Sequence, residues 1–231
     1  MLRATRIAAL ILPTVVLAPT THAARPMVTD DARIVDPRSC QLETWTQRTS
    51  SAAEYWLLPS CAIGSNFELI LGGARTGGDG AAHATSDRVV QGKTLLRTLA
   101  NDGWGLGLVA GGNLRPTGGD DAFAYVPATF AFADGTRLLH LNAGWLHDGT
   151  SRRSRATWGI GGEVQVSDRL WLIGESYGEG SNDRYYQLGL RLWLIPNRVQ
   201  LDATHGNRWN NPEGERWISI GLRLLSPAFL P

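Results

Sequence analysis

The sequence predicts an all-β protein, an antiparallel up-and-down transmembrane β-barrel of 10–12 strands. Three observations carry that reading. From about residue 66 onward, segments of about ten residues alternate apolar and polar side chains with period two. The connectors between them alternate between tight and long. The polar faces carry large charged residues near mid-strand, with acids and bases in balance.

The first residues, MLRATRIAALILPTVVLAPTTHAA, set Arg3 and Arg6 before an apolar run from Ile7 to Ala18 and end on Thr21-His22-Ala23, which suits a signal peptidase. Residues 1–23 therefore read as a secretory signal peptide. Pro13 interrupts the run, which is shorter than the roughly 20 residues a spanning helix needs. No later segment approaches 18 uninterrupted apolar residues, so no helical span is expected. Losing the leader removes two arginines and moves the formal charge from +1 to −1. A near-neutral chain has no bulk electrostatic reason to bind nucleic acid.

Residues 24–65 read as an N-terminal segment. Cys40 and Cys61 are the only cysteines, and an exported pair most often forms one disulfide. No His or Cys cluster lies near them, so neither a metal nor a cofactor is expected. The stretch QLETWTQRTSSAAEYWLLPSCA (41–62) offers one more hairpin, which would set both cysteines at one end of adjacent strands. Its alternation is weak and Pro59 suits an edge or a strand end, which leaves the strand number open.

Residues 66–231 read as the barrel. FELILGGAR (67–75) and DRVVQGKTLLRTL (87–99) are joined by TGGDGAAHATS, and GWGLGLVAGGNL (103–114) and AFAYVPATFAFA (122–133) by RPTGGDD. TRLLHLNAGWLH (136–147) follows the tight Asp134-Gly135 pair, and RATWGIGGEVQV (155–166) follows DGTSRRS. RLWLIGESY (169–177) follows Ser167-Asp168, and RYYQLGLRLWLI (184–195) follows GEGSND. RVQLDATH (198–205) follows Pro196-Asn197, and ERWISIGLRLL (215–225) follows GNRWNNPEGE. Tight turns on one side and long loops on the other put both ends of this set on the periplasmic side.

Each segment has two faces. A two-residue turn at Pro196-Asn197 would pair Ile195 with Arg198, Leu194 with Val199, Leu192 with Leu201 and Arg191 with Asp202. Glu68, Lys93, Arg97, His140, Glu163, Glu175, Arg191, Asp202 and Arg223 are expected to line the lumen, where a lone buried charge would be costly and pairs are not. For RLWLIGESY a three-residue turn is preferred, because it turns Glu175 inward and Leu170 and Leu172 outward. Aromatics gather at strand ends: Trp145, Trp158 and Tyr186 beside long loops, Trp104, Phe130 and Phe132 beside tight turns. A soluble sandwich or lipocalin-like binder would share the alternation, but not these girdles and central charges.

Residues 41–231 resemble a Gram-negative outer-membrane β-barrel. WISIGLRLL is similar to the C-terminal signal that the barrel assembly machinery reads, and departs from it by continuing into SPAFLP. The general look is also similar to the phenol-degradation (MetA-pathway) type outer-membrane proteins. The resemblance implies a bacterial outer-membrane location, lipid and lipopolysaccharide as surroundings, the assembly machinery as a partner, and small solutes as cargo.

The function expected is a non-enzymatic, porin-like barrel, either structural or a narrow channel. The alternatives are an outer-membrane hydrolase of lipid or peptide at the outer rim, and a soluble exported binder. His147, Asp148 and His205 are the catalytic candidates, since they fall at loop-side strand ends. TSRRSR (150–155) places Arg152, Arg153 and Arg155 where lipopolysaccharide phosphates would lie. Gly105-Leu106-Gly107 is no phosphate loop, because no helix start follows it.

Overall fold

The computed structural model describes residues 27–77, 85–116, 118–180, 183–210 and 215–230. The expected signal peptide, 1–23, lies outside the described residues. Twelve strands run in chain order: β1 (Cys40–Arg48), β2 (Ala53–Ala62), β3 (Phe67–Gly77), β4 (Thr85–Arg97), β5 (Trp104–Leu114), β6 (Asp121–Phe132), β7 (Arg137–Asp148), β8 (Arg153–Gln165), β9 (Leu170–Glu179), β10 (Asp183–Ile195), β11 (Val199–Arg208) and β12 (Trp217–Leu225). Each pairs antiparallel with its sequence neighbours, and β1 pairs with β12 to close the barrel. Closure leaves no free sheet edge.

The hairpin left open by the sequence is an integral part of the wall, so the barrel begins at Cys40 rather than near residue 66. Cys40 lies opposite Cys61, and the two form a disulfide with Cα atoms 4.0 Å apart. Pro59 has no N–H to give, and the pairing of β2 with β3 skips from Leu57–Gly73 to Ser60–Ile70 around it. Both chain ends of the barrel lie at the end that carries the disulfide.

The two faces separate as a membrane barrel requires. Leu57, Leu71, Leu108, Leu141, Ile160, Leu172, Leu188, Leu190, Ile218 and Ile220 are large, apolar and exposed on the outer surface. Trp104 and Phe132 stand outward at the disulfide end, and Tyr55, Trp145 and Trp209 at the other. An apolar belt between aromatic girdles is stable against lipid and not against water.

The hairpin of β10 and β11 pairs Arg191 with Asp202, Leu192 with Leu201 and Trp193 with Gln200, as expected. Its turn differs. Ile195 pairs with Val199 rather than Arg198, and Leu194 becomes the extra residue of a bulge. Asn197 adopts φ 55°, which closes a three-residue turn in which the Arg198 N–H donates to the Ile195 carbonyl at 3.0 Å. On β9, Glu175 turns inward and Leu172 outward, as the three-residue turn required. The outer connectors are shorter than the sequence suggested, because strands absorb them: only 149–152 separates β7 from β8, and 180–182 separates β9 from β10.

One element had no counterpart in the sequence reading. Residues 27–39 run inside the barrel, entering from the disulfide end. Met27, Thr29, Asp30, Ala32, Val35 and Ser39 are all buried there.

Candidate functional site: a plugged lumen

The site is the lumen, and its wall is built from inward positions of every second residue. Glu68 on β3 lies opposite Lys93 on β4. The Glu68 carboxylate accepts from Gln41 (2.9 Å) and Ser60 (2.5 Å) on the wall and from the Val35 N–H (3.3 Å) of the inner segment. Lys93 donates to Asp30 at 2.8 Å and lies 3.5 Å from Asp31, both on the inner segment. At the closing seam, Arg223 reaches Gln41 (2.8 Å) and Glu43 (3.4 Å).

A second row crosses β6, β7, β8 and β10. Arg191 is ion-paired with Glu163, whose other oxygen lies 3.0 Å from His140 Nε2. The Thr129 hydroxyl lies 2.9 Å from His140 Nδ1 and accepts the Ala32 N–H at 2.8 Å. A carboxylate only accepts, so Nε2 carries the proton given to Glu163. The row has the members of a hydrolytic triad, yet Thr129 is wholly buried and its oxygen already receives the plug. It acts as a strut from the wall to the inner segment. Deeper in, Glu175 accepts the Val28 and Thr29 N–H groups, each at 2.6 Å, and a hydrogen bond from Gln187.

Glycines make the seat. A Cβ on Gly159 would lie 2.6 Å from Thr29 Oγ1, and one on Gly161 would lie 2.1 Å from Met27 Cε. Beyond the plug, apolar groups fill part of the outer half of the lumen: Trp45 stacks on Trp56 at 5.1 Å beside Leu58, Ile70 and Val89. The inner face is thus not continuously polar. At the disulfide end the lumen widens into a vestibule of about 580 Å³, where Trp171 and Trp193 stand beside Arg33, Arg198 and Arg223.

Of the nine residues expected to line the lumen, Glu68, Lys93, His140, Glu163, Glu175, Arg191 and Asp202 are buried facing inward, and Arg223 is half-buried at the seam. Arg97 is a correction. A bulge makes Leu96 an extra residue, so Arg97 pairs with outward Leu106 and lays its guanidinium 4.1 Å over the Trp104 ring, outside the lumen. Arg155 is another: opposite inward Leu146, it pairs with Glu179 at 2.9 Å in the outer mouth, whereas Arg152 and Arg153 stay exposed.

His147, Asp148 and His205 do not converge. His147 faces outward on β7, stacked on Trp145, with Nδ1 3.1 Å from Ser154 Oγ. Asp148 accepts the Thr150 and Ser151 N–H groups at 2.9 Å each, as a turn cap. His205 stands on the outer face of β11 between Leu188 and Ile218. The lumenal partners that the sequence did not disclose are Asp30, Glu43, Tyr125, Thr129, Asn142 and Gln187.

A family model described as "Uncharacterised conserved protein UCP029691" matches residues 12–225. No curated protein matches the chain. Among solved structures, the KdgM porin in complex with disordered oligogalacturonate is similar, with a TM-score of 0.64 at 10% identity over 80% of this chain and 98% of that one. The NanC porin gives 0.61 at 10% identity over 80% and 98%. The COG4313 outer membrane channel from Pseudomonas putida F1 gives 0.61 at 11% identity over 85% and 98%. At such identities the likeness is one of fold, that of outer-membrane porins, and no likeness to phenol-degradation proteins is shown.

Proposed function

Because the chain belongs to the family described as uncharacterised conserved protein UCP029691, whose description carries no activity, we propose its function from the lumen: it is a bacterial outer-membrane channel for small solutes, closed by its own N-terminal segment. The observation that carries this is the attachment of residues 27–39. Their backbone N–H groups donate to wall side chains Glu68, Thr129 and Glu175, and Asp30 pairs with Lys93. Water can replace each such bond in an aqueous lumen, and no covalent link holds the segment beyond its junction with Cys40. The Cys40–Cys61 disulfide fixes that junction to the wall, so the segment can leave only toward the vestibule.

Planar-bilayer conductance of the mature chain, with and without residues 24–34, tests the reading. Deletion raises conductance severalfold in a barrel that still shows heat-modifiable migration. An unchanged conductance in such a folded barrel refutes it. Arg152 and Arg153 are the groups proposed to meet lipopolysaccharide phosphates. The rim-hydrolase reading keeps one observation, the outward His147–Ser154 pair. Loss of lipid or peptide hydrolysis in Ser154→Ala would favour it.

A further inference from the structure

Lys93 is the only lysine in the chain. It is buried at mid-lumen on β4, and its ion-pair partners, Asp30 and Asp31, belong to the plug rather than to the wall. The arrangement around Asp30 is that of a bound carboxylate. One carboxylate oxygen accepts from Lys93 Nζ at 2.8 Å and the other from the Tyr125 hydroxyl at 3.0 Å. The Asn142 amide, oriented to satisfy both groups, brackets the Asp30 peptide: its oxygen accepts the N–H at 2.7 Å and its nitrogen donates to the carbonyl at 2.9 Å. The donors come from β4, β6 and β7, so the wall supplies the cradle and the plug supplies the anion.

A wall acid does stand near. Glu68 lies directly across from Lys93; its Oε1 accepts from Gln41 and Ser60, which remain in place whatever the plug does, while its Oε2 accepts the Val35 N–H of the plug. A lysine suits this role better than the arginines that supply every other cation of the chain. Its compact ammonium takes one carboxylate oxygen and leaves the second for Tyr125, where a guanidinium fork would bind both and span the seat.

We infer that Lys93 and Tyr125 form a carboxylate-binding site in the lumen, which Asp30 occupies as a tethered ligand and which a carboxylate-bearing solute takes when the plug withdraws. The inference rests on the plugged-channel reading for the solute's access, and on the cradle alone for the site. Plug and solute then compete for one ammonium. The class of solute follows from what the plug mimics: a small molecule with a free carboxylate, with sulfate and uncharged amides as poorer fits.

Chemical rescue tests the site without requiring conduction. In the refolded mature chain, Asp30→Ala removes the tethered carboxylate and leaves a gap that formate fills. The readout is acetylation of Lys93, followed by peptide mass so that the N-terminal amine is scored apart. Formate slows modification of Lys93 in Asp30→Ala by about tenfold once it exceeds its Kd by a similar factor, and formamide does not. Wild type shows no such response, because its site is filled. Equal protection by formamide, or none by formate, overturns the site.

A second measurement uses the chain without residues 24–34. Acetate reduces its chloride current, and Tyr125→Phe and Lys93→Met each weaken that block, the second abolishing it. Block that persists in Lys93→Met overturns the site. If the shortened barrel folds but carries no current, the channel reading fails while the formate result still decides the site.

Discussion

Adding bulk to a channel wall ordinarily narrows it, but here the double substitution Gly159→Val with Gly161→Val is expected to open it. Both glycines face inward on β8 against the plug. A Cβ at 159 would lie 2.6 Å from Thr29 Oγ1 and 3.2 Å from Thr29 Cβ, well inside the 3.4 Å at which ordinary contact begins. At 161 the nearest atom, Met27 Cε at 2.1 Å, ends a flexible side chain and can swing aside, but Thr29 Cβ at 3.4 Å cannot follow once valine methyls are added. Overpacking of this kind costs about 1–3 kcal/mol per site. The pair therefore shifts the seated-to-withdrawn ratio by roughly thirty-fold to twenty-thousand-fold, at 1.4 kcal/mol per tenfold. The wall bears the smaller share of the strain, since valine suits a strand and the obstructing atoms belong to the plug except for Glu175 Cβ, 3.3 Å from a Cβ at 161. Single-channel conductance in a planar bilayer rises, and amine reagents gain access to Lys93. A conductance that falls, with Lys93 still protected, would mean that the lumen is open past an immobile segment and would refute the reasoning.

Other perturbations separate wall from plug. Arg191→Leu leaves Glu163 buried without its cation and destabilises the barrel by about 3–5 kcal/mol. Arg191→Leu combined with Glu163→Leu recovers most of that loss, as urea titration followed by tryptophan fluorescence checks. Leu190→Arg, one residue away on the lipid face, costs about 2–4 kcal/mol near the bilayer midplane. The same titration in lipid should show that it has no compensating partner. Replacing Cys40 and Cys61 by serine opens a loop of sequence separation 21. By the chain-entropy account a loop of that size is worth about 3 kcal/mol. The midpoint of heat modification falls, and reductant shifts the wild type to the same value; an unmoved midpoint would show that the seam with β12 alone holds β1.

Much of the wall was legible because the rules that shape it are local. The pairing of Arg191 with Asp202 follows from a charge placed in each of two apolar strands at equal distance from a turn, and the actual turn altered only the last pair. Glu175 was placed by cost, since the rival register would have set a carboxylate in lipid. Arg97 was misplaced because a bulge is a one-residue slip that reverses every later side chain, and nothing in TLLRTL marks where the slip falls. Arg155, first residue of the strand as read from sequence, was grouped with the loop arginines although its inward register turns it to Glu179.

The plug was illegible for a different reason, and that reason bears on its function. A strand advertises itself by period, but residues 27–39 bind through main-chain N–H groups whose partners are side chains far away in sequence, a geometry that imposes almost no pattern on the segment itself. The demand falls on the wall instead, which must offer acceptors at the right depth and remove side chains where the segment passes. Those marks are in the sequence: Gly159 and Gly161 hollow one inward face, Glu175 stands on the next strand, and a single lysine faces them from β4. A lumen filled for stability alone needs none of these, since leucine or paired charges would fill it with less backbone left to satisfy. A wall that keeps a hollow and lines it with acceptors is built for an occupant that can leave. Hence the wall variants, more than changes within the plug, decide whether this barrel is a sealed cylinder or a gated one.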